Sequence, residues 1–539
     1  MPANHRLVLI VAIAGLAASI GVLWLSNIPL GVPGEWTWPR IPFSAASIWG
    51  WIVAGAGAAV YIAFVAVGAA RIDSRASFAG AVWVTALACA GFLWLTAAQS
   101  AVPGIAGLPK THFVLYYQRS SGYFFQARYE VQDTREFLAT YEDLLAERDY
   151  LHIGTHPPGL TLLFRGLLRL FNSSPTLVDL VLVTEPESVR AAATTIRGNE
   201  PASGRNFTRA DEAVLWFAAV LAQAAAAATV IPLFVLLCQS VDRRTASFAA
   251  ALWPLVPGIA IFLPKSDAVF PLFSILGPCL WLTGWNKRSL SCCALAGLTL
   301  FVGMLLSLAI APIAVLTAAA TVIGEWWRTF SPSPPKAAMI SDSTPFGGEG
   351  RGEGYKLDAA STPRASIRWW LLAITSAATG FFLPLLLLWW QCDLNLPRVW
   401  SWNVANHALF YEDNTRTWWK WLLENPLEAA LAAGGPLAGL ALIGGWCSRS
   451  SRLFPLVAAT ALVWGLLWIS GKNMGEAARL WLLFQPWLVV AAAAAMSDKP
   501  AGINPAARGR VVWLAVLTLQ AIACIATVTR IDGFEFDQM

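Results

Sequence analysis

Charge is the first thing this sequence lacks. Of its 539 residues only 13% are Asp, Glu, Lys or Arg, against roughly 25% in an ordinary soluble domain. Hydrophobic residues make up 57%, and they gather in runs of the roughly 20 apolar residues that a membrane-crossing helix requires. A soluble globular domain is excluded on these grounds. The expectation is an all-α polytopic membrane protein, with membrane lipid as its first partner. The formal net charge of +5 implies no nucleic-acid partner, because in a membrane protein the positions of Lys and Arg matter more than their sum.

Paired cysteine motifs are also missing. The eight cysteines include no C-x-x-C pair and most lie inside apolar runs, which argues against a disulfide framework and a zinc site. The chain shows no internal repeat, and the middles of nearly all its apolar runs carry no charge. Both absences count against a transporter or flippase, which places ionisable residues or broken helices at mid-membrane. Bulky apolar residues are scarce in one place, the Pro-, Gly- and Ser-rich segment 330–366. Such a segment cannot bury a core and is expected to be disordered. Its "GGEGRGEG" follows no strand and opens no helix, so a nucleotide loop is not indicated.

What is present is a series of apolar runs near 7–25, 46–70, 78–100, 211–239, 245–263, 268–285, 290–306, 308–326, 369–391, 427–447, 453–470, 480–496 and 511–529. They predict about thirteen transmembrane helices, with 290–326 readable as two short helices or one broken one. The first run is long for a signal-peptide core and is read as a retained span. With thirteen spans, one side collects Arg6, Arg71, Arg75, the "DRR" at 242–244, the "NKR" at 286–288, the 327–368 loop, Arg449, Arg452, Lys499, Arg508 and Arg510. Cytoplasmic loops collect such residues, so the N-terminus is expected inside, at the cell membrane. The outer side then carries a large loop, 101–210, and the shorter segments 264–267, 400–426 and 471–479. Four of the five histidines fall there: His112, His152, His156 and His407.

Within the large outer loop Phe137, Leu138, Tyr141, Leu144 and Leu145 recur at helical spacing. They predict an amphipathic juxtamembrane helix at the interface, with Asp133 placed to cap its start. The "HPPG" at 156–159 follows. Pro is tolerated in a helix's first turn but blocks continuation backwards, so the motif reads as a rigid elbow with His156 at the mouth of the next helix.

The order acidic residue, "DTREFLATYEDLL", "HPPG" resembles the GT-C superfamily of membrane glycosyltransferases. That group includes the dolichyl-phosphate-mannose-protein mannosyltransferases and the bacterial aminoarabinose and lipid-linked-sugar transferases. "RRTASFAAALWPLVPGIAIFLPKSDAVFPLF", "NHALFYEDNTRTWWKWLLENPLE" and "SGKNMGEAARLWLLFQPW" are similar to later segments of that family, so the resemblance spans about 78–496. Two extra helices (1–77) precede this core, and a C-terminal helix and tail (497–539) follow it. Many members carry an Asp-Glu pair early in the loop, whereas here no acid precedes Glu130 in it. This keeps open a catalytically inactive scaffold, beside the transporter alternative.

The resemblance implies an enzyme that moves a sugar from a polyprenyl-phosphate donor to a glycan, lipid or protein acceptor on the outer face. Such a transfer needs a base for the acceptor hydroxyl and cations for the leaving phosphate. By the resemblance Asp133 is the first candidate base and Asp267 the second. Arg479, Arg416 and Lys265 are candidates for the phosphate, His156 and His407 for sugar or phosphate, and Glu476 for orienting Arg479. The chain has no D-x-D triplet, so no metal ligand is assigned and no cofactor is expected, although a divalent ion is not excluded.

Sidedness is directly testable. In a cysteine-free background, single cysteines at Ser120, Asn414 and Lys472 should react with an impermeant thiol reagent added outside, and one at Gly348 should not. Opposite sidedness for any two of the first three would separate the segments proposed to share a site.

Overall fold

The computed structural model of the protein describes residues 5–69, 72, 77–147, 152–330, 365–497 and 505–534. Nearly all of the segment expected to be disordered, 331–364, lies outside these residues. The described chain is helical almost throughout; its one sheet is a two-stranded ribbon, Gly31–Val32 paired with Trp36–Thr37. This is an all-α polytopic membrane protein.

Nine helices among the described residues are long and apolar enough to cross a membrane, or up to eleven if each of two bent pairs is one span. The thirteen predicted runs are all helical, but four stop short of that standard. Leu290–Leu306, Phe454–Ile469 and Leu482–Met496 are shorter apolar helices. The run 427–447 is broken at Gly434, where Trp418–Ala433 and Gly435–Ser450 meet at 112°. The break has a local cause. Gly434 sits at φ 86°, a left-handed value that a side chain rarely tolerates, and the buried Gln520 amide occupies the space a Cβ would need. That amide also satisfies the broken ends, donating to Ala433 O at 2.8 Å and accepting from Leu437 N at 3.0 Å. In 290–326 the extended Ser307 (φ −160°) separates two helices, which decides for the two-helix reading.

Packing between spans relies on small residues, as close helix approach in a membrane requires. Gly297 meets the Ala377 carbonyl and Gly380 meets that of Ala294, bringing Leu290–Leu306 against Ile367–Cys392. The latter helix leaves Leu371, Leu383 and Trp390 exposed, a surface suited to lipid.

The described part of the large loop 101–210 is folded, with a core of its own built from Tyr116, Phe124, Phe164, Phe171, Ile196 and Phe207. Two ion pairs lace it together, Arg128–Asp211 at 2.7 Å and Arg197–Glu212 at 2.6 Å, and the fully buried His112 and Glu185 side chains hydrogen-bond at 2.6 Å. The predicted amphipathic helix is two short helices, Thr134–Ala139 and Tyr141–Ala146. Its apolar face is covered by protein instead of resting on the membrane surface alone. Leu138, Tyr141 and Leu145 are buried against Leu394, Leu396 and Val399.

The Gly380 contact yields a stability prediction. Gly380→Val would drive a side chain into the Ala294 backbone, which cannot rotate away, so a loss of at least about 1–3 kcal/mol is expected. Gly445→Ala, where nothing lies within 4 Å of the built Cβ, should be harmless by comparison. Thermal unfolding in detergent distinguishes them, and equal melting temperatures would contradict the packing described.

Candidate functional site

The elbow read from "HPPG" is held from outside its own segment. Tyr141 Oη donates to His156 O at 2.9 Å, and Asn403 Nδ2 donates to Gly154 O at 2.9 Å and His156 O at 3.3 Å. Asn406 Nδ2 reaches Gly154 O at 3.1 Å and Leu145 O at 2.9 Å. Both asparagines are buried on the helix Leu396–Asp413. Three donors thus fix a loop whose exposed carbonyls have no regular secondary structure to satisfy them.

The pinned loop fixes the histidine tautomers. His156 Nδ1 lies 3.0 Å from His152 O. A carbonyl only accepts, so Nδ1 carries the proton, and the neutral ring leaves Nε2 as an acceptor. His152 Nε2 lies 2.6 Å from Arg119 O and must be the protonated nitrogen of that ring. Burial lowers the pKa of both histidines. Lys265 adds to this at His152, while Asp267 works against it at His156. Both rings meet Tyr123 edge-on, at centroid distances of 6.3 Å and 5.7 Å.

Lys265 and Asp267 lie in the turn between helices Pro257–Phe262 and Phe270–Lys287. Lys265 is 9% exposed; burial first, then Arg479, pushes its pKa down to about 7, against the pull of Asp267 and Glu476. Arg479 sits on the short helix Ala477–Leu480 and pairs with Glu476 at 2.9 Å. Glu476 itself holds φ 53°. Burial opposes the Arg479 charge, but Glu476, Asp267 and Tyr123 outweigh it. Its Nε is buried without a hydrogen-bond partner.

The remaining candidates approach from the 400–426 segment. Arg416 donates from Nη1 to Glu35 O at 2.6 Å, and its guanidinium lies 5.7 Å from the Phe410 ring centroid and 5.9 Å from that of Trp421. Its Nε is buried without a partner, and burial lowers its pKa against the opposing pull of Glu476, Glu35, Tyr411 and Glu428. His407 packs on Tyr411, and burial, with Lys472 and His156 acting in the same direction, lowers its pKa to about 4.

Asp133 stands apart from this cluster. It caps the helix Thr134–Ala139, accepting from Arg135 N and Glu136 N at 2.8 Å each. Those two hydrogen bonds lower its pKa, with Arg169 and Arg135 acting in the same direction. The acid that shares its surroundings with the candidates is Asp267, which acts on His156, Lys265 and Arg479. Seven of the eight sequence candidates therefore converge from four separate segments.

Several participants were not singled out from the sequence. Asn403 and Asn406, spaced i, i+3 in "NVANHA", had a readable signal in their shared helix face. Glu35 had none, since it lies in the ribbon turn. Trp421 is fully buried and donates to Glu35 Oε2 at 2.8 Å. Among the described residues no group of three or more His, Cys, Asp or Glu is placed to hold a metal ion.

With His152 and His156 neutral, Lys265 and Arg479 face Asp267 and Glu476, and Arg416 faces Glu476 and Glu35. When Lys265 is protonated the three cations are matched by Asp267, Glu476 and Glu35, and Lys420, on Glu35 at 3.0 Å, adds one further positive charge. No protein-family model matches the chain, and neither the curated proteins nor the solved structures give a match.

The lowered Lys265 pKa gives a signed prediction. Between about 7 and 10.5 the unfolded chain binds one proton more than the folded one, so this residue makes stability rise with pH across that window. Lys265→Met should be the more stable protein at pH 7, and its advantage should shrink toward pH 9.5. Parallel melting curves against pH for the two proteins would contradict a buried, pKa-shifted Lys265.

Proposed function

We propose that the protein is an integral-membrane glycosyltransferase that takes a sugar from a polyprenyl-phosphate donor and transfers it to an acceptor hydroxyl at the outer face. The observation that carries this reading is the gathering of Lys265 and Arg479 beside Asp267, with Arg416 approaching from the far side of Glu476. Both arginines keep a buried Nε without an acceptor. Unpaired guanidinium nitrogens suit phosphate oxygens, which take the planar fork in two parallel hydrogen bonds.

On this reading the acceptor oxygen attacks the anomeric carbon and its proton passes to the Asp267 carboxylate. The bond from that carbon to the phosphate oxygen breaks, and its electron pair leaves with the phosphate, where the cations stabilise it. The neutral His156 offers Nε2 to a sugar hydroxyl, and His407 stands beside the same space. Glu476 orients Arg479. Topologically, the three short apolar helices and the broken pair cross as well, giving thirteen spans with the N-terminus in the cytoplasm and the cluster outside.

Asp267→Asn should lower transfer from radiolabelled polyprenyl-phosphate sugars by at least about a hundredfold, the usual weight of a general base. Asp133→Asn keeps a side-chain oxygen for the cap and should leave turnover close to that of the unsubstituted protein. Loss of turnover in the Asp133 variant alone would move the base to Asp133 and contradict the assignment made here.

A further inference from the structure

Glu35 lies in the ribbon turn of the N-terminal region, outside the segment that resembles glycosyltransferases, yet five hydrogen bonds tie it to residues 416–421. Its carboxylate is almost completely buried, at 8% exposed. Oε1 accepts from Thr417 Oγ1 at 2.6 Å and Lys420 Nζ at 3.0 Å. Oε2 accepts from Thr417 N and Trp421 Nε1, each at 2.8 Å. Burial raises its pKa, but these four donors outweigh that and hold it at about 2, so the group is ionised. The ribbon is tied in a second time, with Gly31 N donating to Glu424 Oε1 at 3.0 Å.

All four donors belong to residues 417–421, immediately after Arg416, while the Glu35 carbonyl itself accepts from Arg416 Nη1. One residue thus grips the backbone next to Arg416 with its side chain and the guanidinium with its main chain. The grip leaves Nε and Nη2 without acceptors among the described residues. Arg416 Nε lies against Gly475, 3.3 Å from where a Cβ there would stand, next to the Glu476–Arg479 pair.

We infer that Glu35 is a positioning residue that presents the free edge of Arg416 to a phosphate monoester in the cluster, which makes the N-terminal region part of the site. This rests on the function proposed above. A carboxylate suits the task because it offers only acceptors to four donors. An amide would place its NH₂ against one of the two donor pairs, and Lys420 or Trp421 cannot turn to accept from it.

The test is binding of farnesyl phosphate, with farnesol as the uncharged control, to the full-length protein in nanodiscs. It is read as the apparent Kd for the unsubstituted protein, Glu35→Gln, Arg416→Ala and the double variant. Arg416→Ala and Glu35→Gln should each weaken farnesyl phosphate by about tenfold, with farnesol binding unaffected. The double variant should be no weaker than Arg416→Ala, since Glu35 acts only through Arg416. Additive losses, or normal binding by Glu35→Gln beside weakened Arg416→Ala, overturn the positioning role and leave the proposed function standing. No preference of the unsubstituted protein for farnesyl phosphate over farnesol overturns both. Should Glu35→Gln not fold, Lys420→Met, which removes one of the four donors at a half-exposed position, should weaken farnesyl phosphate measurably in the same assay. Unchanged binding there would likewise overturn the inference.

Discussion

Cations held away from water around Glu476 are the constraint around which this structure is organised: Lys265 is buried, and Arg479 and Arg416 are partly so. Removing a charge from water is costly unless a partner or a ligand compensates it. Here Glu476 and Asp267 compensate only in part: Lys265 is pushed toward neutrality, and Arg416 and Arg479 each keep a buried Nε unsatisfied. A bundle selected for stability alone would have filled this space with apolar side chains, as it does elsewhere around Trp253, Phe248 and Leu252, all fully buried. On the proposed reading, an anion completes the remaining positive charge.

The surrounding elements hold the cluster in place at several removes. Helix Leu396–Asp413 serves twice, pinning the 152–158 loop through Asn403 and Asn406 and presenting His407 from the same stretch. Tyr411 ties that helix to the 471–476 segment, donating to Lys472 O at 2.8 Å and accepting from Met474 N at 3.0 Å. Glu35 ties in the N-terminal region. Rigid elements thereby meet through irregular loops, and the Gly154 and His156 carbonyls each have side-chain donors. Preorganisation of this kind lets charged groups act on a developing charge without first rearranging.

Much of this was legible in the sequence because membrane burial leaves a strong pattern. Apolar runs located the spans, and the grouping of His156, Lys265, Asp267, His407, Arg416, Glu476 and Arg479 followed from their placement in polar segments. Lengths failed where tertiary contacts decided them. Gly434 breaks a run that reads as continuous because Gln520, far away in sequence, fills the space beside it. The amphipathic periodicity of 137–145 was real, but periodicity does not say whether lipid or protein covers the face. Asp133 stood in the expected place for a base and also in the place for a helix cap; only the three-dimensional neighbours of Asp267 separate the two acids. Glu35 was invisible because its partners lie nearly four hundred residues away.

The most direct measurement is a cryo-electron microscopy structure of the protein in nanodiscs with a polyprenyl phosphate added. The account predicts phosphate density bounded by Lys265, Arg416 and Arg479, with Arg479 Nε turned onto a phosphate oxygen and Asp267 facing the open side. Phosphate density elsewhere, for instance between Arg135 and Arg169 beside Asp133, with the three cations unchanged, would contradict it.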